Sequence, residues 1–194
     1  EVEALRQIHI TEAFSVTKNI PKGKPILFIP GAVKEDESID LISLVQAASG
    51  ELTHWDIRFK SHPAMPLEKI FKKMGIALHK AGYTLLPETT FRQCLKDATA
   101  VLVATSSVGI EALAYGCEVL IPSFADTMSM NPLIDFPEYA HPINGKKDLI
   151  DTLEKIAAGE RLHTPQEYNA FVSTYWNLDS SLHTWRDLLH IDHD

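Results

Sequence analysis

The run Ala100-Val101-Leu102-Val103-Ala104 is short, apolar and without polar alternation. That pattern marks a β-strand buried on both faces, which belongs to a parallel sheet covered by helices on each side. Other segments repeat the pattern. Ile26–Ile29, Ile57–Lys60, Tyr83–Leu86 and Val119–Pro122 read as four more strands. Between them lie helical patterns. Residues 35–48 carry an apolar face of Ile39, Ile42, Leu44 and Val45 and are closed by Gly50. Leu67–Met74 is capped by Gly75, and Thr89–Lys96 and residues 146–157 complete the set. Short strands alternating with single helices predict an α/β fold, a right-handed, doubly wound parallel sheet. Residues 1–24 read as a lead-in helix and linker, 25–160 as the α/β domain, and 161–194 as a helical C-terminal extension. Phe171, Tyr175, Trp176, Leu182 and Trp185 give that extension an aromatic character.

Composition narrows the function. Among 194 residues, Lys and Arg number 18 against 26 acids, a formal charge of −8. Proteins that bind nucleic acid carry a basic stripe, and none is visible, so nucleic acid is not an expected partner. A small phosphate ligand held by backbone amides and hydroxyls is compatible with an acidic chain. The two cysteines, Cys94 and Cys117, fall in helical and strand patterns and read as unpaired core thiols in a reducing compartment. No apolar run reaches membrane-spanning length. A cytoplasmic location follows as the expectation, with peripheral attachment to an inner membrane compatible with it. His190, Asp192, His193 and Asp194 crowd the C-terminus without zinc-ligand spacing, so no metal or other cofactor is expected.

In a doubly wound sheet, ligands bind at the carboxyl ends of the strands, so the residues at those ends can be compared directly. The central strand runs into Thr105-Ser106-Ser107 and then a helical pattern, which places three hydroxyls where a helix begins. Helix starts favour small hydroxyl residues as caps and attract phosphate. His62-Pro63 ends the second strand: the imidazole donates to a phosphate oxygen, or it caps a turn. Pro87-Glu88 ends the third. Glu88 accepts from two ribose hydroxyls, or it complements the dipole of the following helix. Glu111, one turn into the helix after Ser107, rivals Glu88 for the ribose. Pro30-Gly31 ends the first strand, either as a tight turn or as a place where the backbone approaches a ligand. The dinucleotide Gly-x-Gly-x-x-Gly fingerprint and the Walker phosphate loop are both absent, and no Gly-x-Ser-x-Gly elbow surrounds Ser106.

In order and rough spacing, His62-Pro63, Glu88 and Ser106-Ser107 resemble the donor half of GT-B glycosyltransferases that use CMP-sugars. These are the bacterial sialyl-, polysialyl- and Kdo transferases of capsule and lipopolysaccharide synthesis. The likeness runs from about residue 25 to 158. It implies a Rossmann-like domain, one half of GT-B, in which His62 contacts the donor phosphate and assists nucleotide departure. Pro63, Thr105, Ser106 and Ser107 would bind the same phosphate without a metal. Glu88, with Glu111, Leu86 and Pro87, would hold ribose and base, and Pro30 and Gly31 would lie near the donor. The expected partners are a nucleotide-sugar and a glycan acceptor, the latter brought by an N-terminal half for which this chain has no length. CDP-glycerol glycerophosphotransferases look similar at the same loops. The phrase from Ser107 to Pro122 also looks like UDP-N-acetylglucosamine 2-epimerases. A non-catalytic assembly module on the same fold is the remaining alternative.

Overall fold

The computed structural model describes residues 23–87, 91–124 and 130–176. Six parallel strands form one sheet in the order β3-β2-β1-β4-β5-β6. They are β1 (Ile26–Pro30), β2 (Asp56–Lys60), β3 (Tyr83–Leu85), β4 (Ala100–Leu102), β5 (Glu118–Pro122) and β6 (His141–Ile143). The helices are α1 (Glu35–Ala48), α2 (Leu67–Lys73), α3 (Leu78–Ala81), α4 (Phe91–Asp97), α5 (Val108–Ala114), α6 (Lys146–Ala157) and α7 (Pro165–Tyr175). Two 3-10 turns, Pro132–Asp135 and Pro137–Tyr139, lead into β6. This is the doubly wound α/β architecture expected from the sequence.

Period-two alternation along fully buried strands sends side chains into two cores. Leu27 and Ile29 of β1 join Leu102 of β4 on the face packed by α1, α2 and α6. Phe28 and Val101 point the other way, onto α4, α5 and α7. Every residue of β1 is buried, which is why that strand shows no polar alternation.

Several boundaries differ from expectation for local reasons. The buried stripe of α1 is Leu41, Ile42, Val45 and Ala48, with Ile39 and Leu44 only partly covered, and Ser49 rather than Gly50 caps it. Gly75 follows the Met74 cap of α2 at φ 69°, and Ile76 N–H donates back to Phe71 O at 2.9 Å, a Schellman closure. Strand β6 lies outside the five expected strands. It is three residues long and contains Pro142, a composition tolerated only at a sheet edge, where it sits beside β5. Both cysteines are free and buried. No helix of the described residues is long and apolar enough to cross a membrane.

The C-terminal extension is part of the domain as far as it is described. Thr164 opens α7 with a capping box, its hydroxyl accepting from Glu167 N–H while the Glu167 carboxylate accepts from Thr164 N–H. Tyr168 and Val172 of α7 are buried in the second core. Phe171 stacks on Tyr139 with centroids 4.0 Å apart. Residues 177–194, including Leu182 and Trp185, lie outside the described part, as do residues 1–22 of the lead-in.

A buried polar cluster ties α7 to the sheet. Glu118, 0% exposed at the start of β5, accepts from Tyr168 Oη at 3.1 Å on both oxygens. His141 Nε2 lies 2.9 Å from it and Arg161 Nη1 3.4 Å away, and Leu162 N–H donates at 3.4 Å. Burial pushes the Glu118 carboxyl up. The bond and charge of His141, with the Leu162 amide and Tyr168, outweigh it and hold the carboxyl below its ordinary value. A depressed carboxyl stabilises the fold above the unfolded value of about 4.3 and loses that contribution as pH falls toward the folded value. Removing one member of such a buried charged group costs about 3–5 kcal/mol. Urea unfolding at pH 7 should show Glu118→Ala destabilised by that order. Between about pH 5 and pH 3 the wild-type midpoint should fall more steeply than that of Glu118→Gln.

Candidate functional site

The strand order reverses between β1 and β4, and the connections leave these neighbours in opposite directions. A crevice therefore opens above their carboxyl ends, the ligand position of open α/β sheets. The loops after β1, β2 and β4, with Pro87 after β3, all emerge at this end.

The β1 and β2 loops are packed directly together. Gly31 N–H donates to Lys60 O at 2.8 Å. A β-carbon on Gly31 would lie 3.2 Å from His62 N and 3.2 Å from the Leu67 side chain. Gly31 is thus the residue that lets the His62 loop close against β1, and Pro30 is the buried last residue of that strand.

His62 heads a tight turn in which Met65 N–H donates to His62 O at 2.9 Å. Its Nδ1 accepts from Ala64 N–H at 3.1 Å. Both readings of this histidine thus share one geometry. It closes its own turn, and because Nδ1 is the acceptor, the neutral ring carries its proton on Nε2. The ring is half-buried and Pro63 exposed. Lys60, which the motif reading passed over, reaches sideways with Nζ 3.3 Å from Pro87 O, and Leu86 N–H donates to Phe59 O at 2.8 Å. The β3 loop is thereby registered against the β2 loop. Glu88 lies outside the described residues.

The hydroxyl cluster differs from the expected cap. Helix α5 starts at Val108, and Ser107 makes no side-chain cap bond. Ser106 takes that role instead, its Oγ accepting from Val108 N–H at 3.3 Å. Ser107 already has helical backbone angles, φ −63° and ψ −6°, which turn its side chain away from the first-turn amides. Thr105 Oγ1 donates to Glu37 Oε2 at 2.7 Å. Glu111 stands in the first turn of α5, half-buried, with its charge acting on Tyr115.

Two residues invisible to motif reasoning hold this loop. Glu37, in the first turn of α1, is 3% exposed, and Asn131 is 1% exposed. Asn131 Nδ2 donates to Ala104 O at 2.6 Å, and its Oδ1 accepts from Leu133 N–H at 3.0 Å, capping the 3-10 turn. The Asn-Pro pair at 131–132 is the kind of helix-start signal that would have drawn attention to it. Glu37 has no comparable signature, since an acid in a first turn is ordinary. Beside Thr105, Ile121, Phe124, Leu133, Pro137 and Pro142 line a largely apolar cleft of about 310 Å³.

A Rossmann-like sheet with a crevice between tightly tied phosphate-sized loops defines the class of fold, one half of the GT-B architecture. Comparison with solved structures agrees. TarM from S. aureus, solved with fondaparinux, α-GlcNAc-glycerol and UDP, aligns over 89% of this chain at TM-score 0.60 and 16% identity. The wall teichoic acid polymerase TagF, as an H444N variant with CDPG, aligns over 96% at TM-score 0.50 and 14% identity. WaaG, a glycosyltransferase involved in lipopolysaccharide biosynthesis, aligns over 90% at TM-score 0.52 and 12% identity. The chain spans less than half of each, 38%, 46% and 47% respectively. No protein-family model matches it, and no curated protein matches it in sequence.

Two substitutions test the geometry. Gly31→Ala should move the turn from His62 to Met65 and destabilise the fold by about 1–3 kcal/mol through overpacking. Amide NMR would read this as shifts at Ala64 and Met65; an unchanged spectrum contradicts the contact. Asn131→Ala should cost about 1–3 kcal/mol in thermal or urea unfolding, because Ala104 O and Leu133 N–H lose their buried partner.

Proposed function

We propose that this chain is the donor-nucleotide half of a GT-B glycosyltransferase of surface-polysaccharide synthesis, acting on a CMP-activated sugar. The observation that carries the reading is the His62 loop. A histidine with Nδ1 engaged by its own turn and the proton on Nε2 is packed through Gly31 onto the strand beside the Ser106-Ser107 loop. It is a preset donor at a switch-point crevice. The fold shared with TarM, TagF and WaaG supports the class, and the His-Pro and Ser-Ser pairs support the choice of donor.

In this reading Ser106 and Ser107 hold the donor phosphate, and Pro63 sets the backbone that presents His62. As the acceptor hydroxyl attacks the anomeric carbon, the glycosidic C–O bond breaks and its electron pair passes to the phosphate oxygen. His62 Nε2–H stabilises that growing charge, which is where preorganised donors contribute most to rate. Ribose falls to Glu88 and Glu111, and the base to backbone groups at Leu86 and Pro87. The base that takes the acceptor's proton belongs to the other half. The isolated chain is therefore expected to bind donor nucleotide and to transfer no sugar, in a cytoplasmic setting. The CDPG bound to TagF gives a second reading specific support, a CDP-glycerol donor at the same loops.

Calorimetric titration with CMP, CDP, UMP and UDP separates these readings. A cytidine nucleotide should bind selectively. His62→Ala, or Ser106→Ala with Ser107→Ala, should weaken it at least about tenfold, since each bond to charged phosphate is worth about 1.5–3 kcal/mol. A uridine preference would move the reading to UDP-sugar enzymes. Affinity unchanged by these substitutions would refute the assigned site.

A further inference from the structure

Thr105 is not an ordinary hydroxyl. Its proton goes to the Glu37 carboxylate at 2.7 Å, a charge-assisted bond. Both partners are held in place. Ser38 anchors the loop before α1, its Oγ accepting from Ala32 N–H at 3.0 Å and donating to Ala32 O at 3.4 Å. Lys34 Nζ lies 3.5 Å from Glu37 Oε1. On the other side, Asn131 fixes the carbonyl of Ala104, the residue before Thr105.

A hydroxyl has one proton to give and two lone pairs to offer. With the proton committed to Glu37, the half-exposed Thr105 Oγ1 presents only an acceptor to its surroundings, backed by a buried negative charge. A phosphate oxygen finds no donor there and meets repulsion. A ligand hydroxyl finds the acceptor it needs. The cleft that Thr105 lines has Ser123 as its other side-chain hydroxyl, and its remaining walls are apolar.

We propose that the Thr105–Glu37 pair is a hydroxyl-recognising subsite. Thr105 Oγ1 accepts from a hydroxyl of the sugar or polyol carried by the donor, while the phosphate rests on Ser106, Ser107 and His62. This assignment rests on the donor-domain reading and deepens it. Thr105 leaves the set of phosphate ligands and becomes the residue that distinguishes a loaded donor from its bare nucleotide.

The test is calorimetry on the 194-residue chain with two pairs of compounds, CDP-glycerol against CDP and CMP-N-acetylneuraminate against CMP. Each is titrated into wild type, Thr105→Val and Glu37→Gln, with circular dichroism confirming that the variants are folded. Thr105→Val keeps the shape and removes the acceptor. It should weaken the loaded donor of one pair by about threefold to tenfold and leave the bare nucleotide unchanged. The pair that responds tells polyol from sugar. Glu37→Gln removes the charge behind the site, so it should tighten the bare nucleotide and narrow the preference for the loaded donor. Equal weakening of donor and nucleotide by Thr105→Val would make Thr105 a phosphate ligand and overturn the assignment. So would a Thr105→Val chain that binds all four compounds as wild type does. Failure of the donor-domain reading looks different: wild type then binds none of the four, and the subsite falls with it.

Discussion

The structure depends on the pairing of β1 with β4. Leu27 and Phe28 sit in register with Ala100 and Val101, and all four are fully buried. Strands dry on both faces can satisfy their amides only through neighbouring strands. Helices then have to cover each face, and the chain winds away from this pair in both directions. The crevice over the carboxyl ends is a geometric consequence of that winding. It exists before any side chain fills it.

What makes the crevice specific is a small set of buried polar bonds. Glu37 to Thr105, Asn131 to Ala104 and Lys60 to Pro87 each connect a loop to an element distant in sequence. Left unpaired, such groups are costly to bury, and paired they allow few alternative arrangements. Gly31 achieves the same end by omission, since the space a side chain would take is occupied by the His62 backbone. The Glu118 cluster is the counterpart at the opposite end of β5, serving cohesion between α7 and the sheet.

Sequence periodicity found the elements whose burial is strong and local. The span of α1 and that of α6 were legible because their apolar repeats run for several turns. Strand β6 was not, because three residues with a proline carry no period, and their role comes from lying beside β5. The site was half legible. His62-Pro63 and Ser106-Ser107 were visible as residue types at strand ends. The division of labour among the hydroxyls was not: Ser106 rather than Ser107 caps the helix, and Thr105 serves Glu37, which lies 68 positions away in sequence.

By itself, then, the amino-acid sequence determined a doubly wound parallel sheet and the strand ends that face a ligand. Both follow from local hydrophobic pattern and turn chemistry. Only the tertiary structure decided which hydroxyl is spent on a partner, which tautomer His62 carries and why Gly31 must lack a side chain. Those properties come from contacts between segments far apart along the chain. Their bonding is set by where the sheet brings them, and no local pattern encodes it.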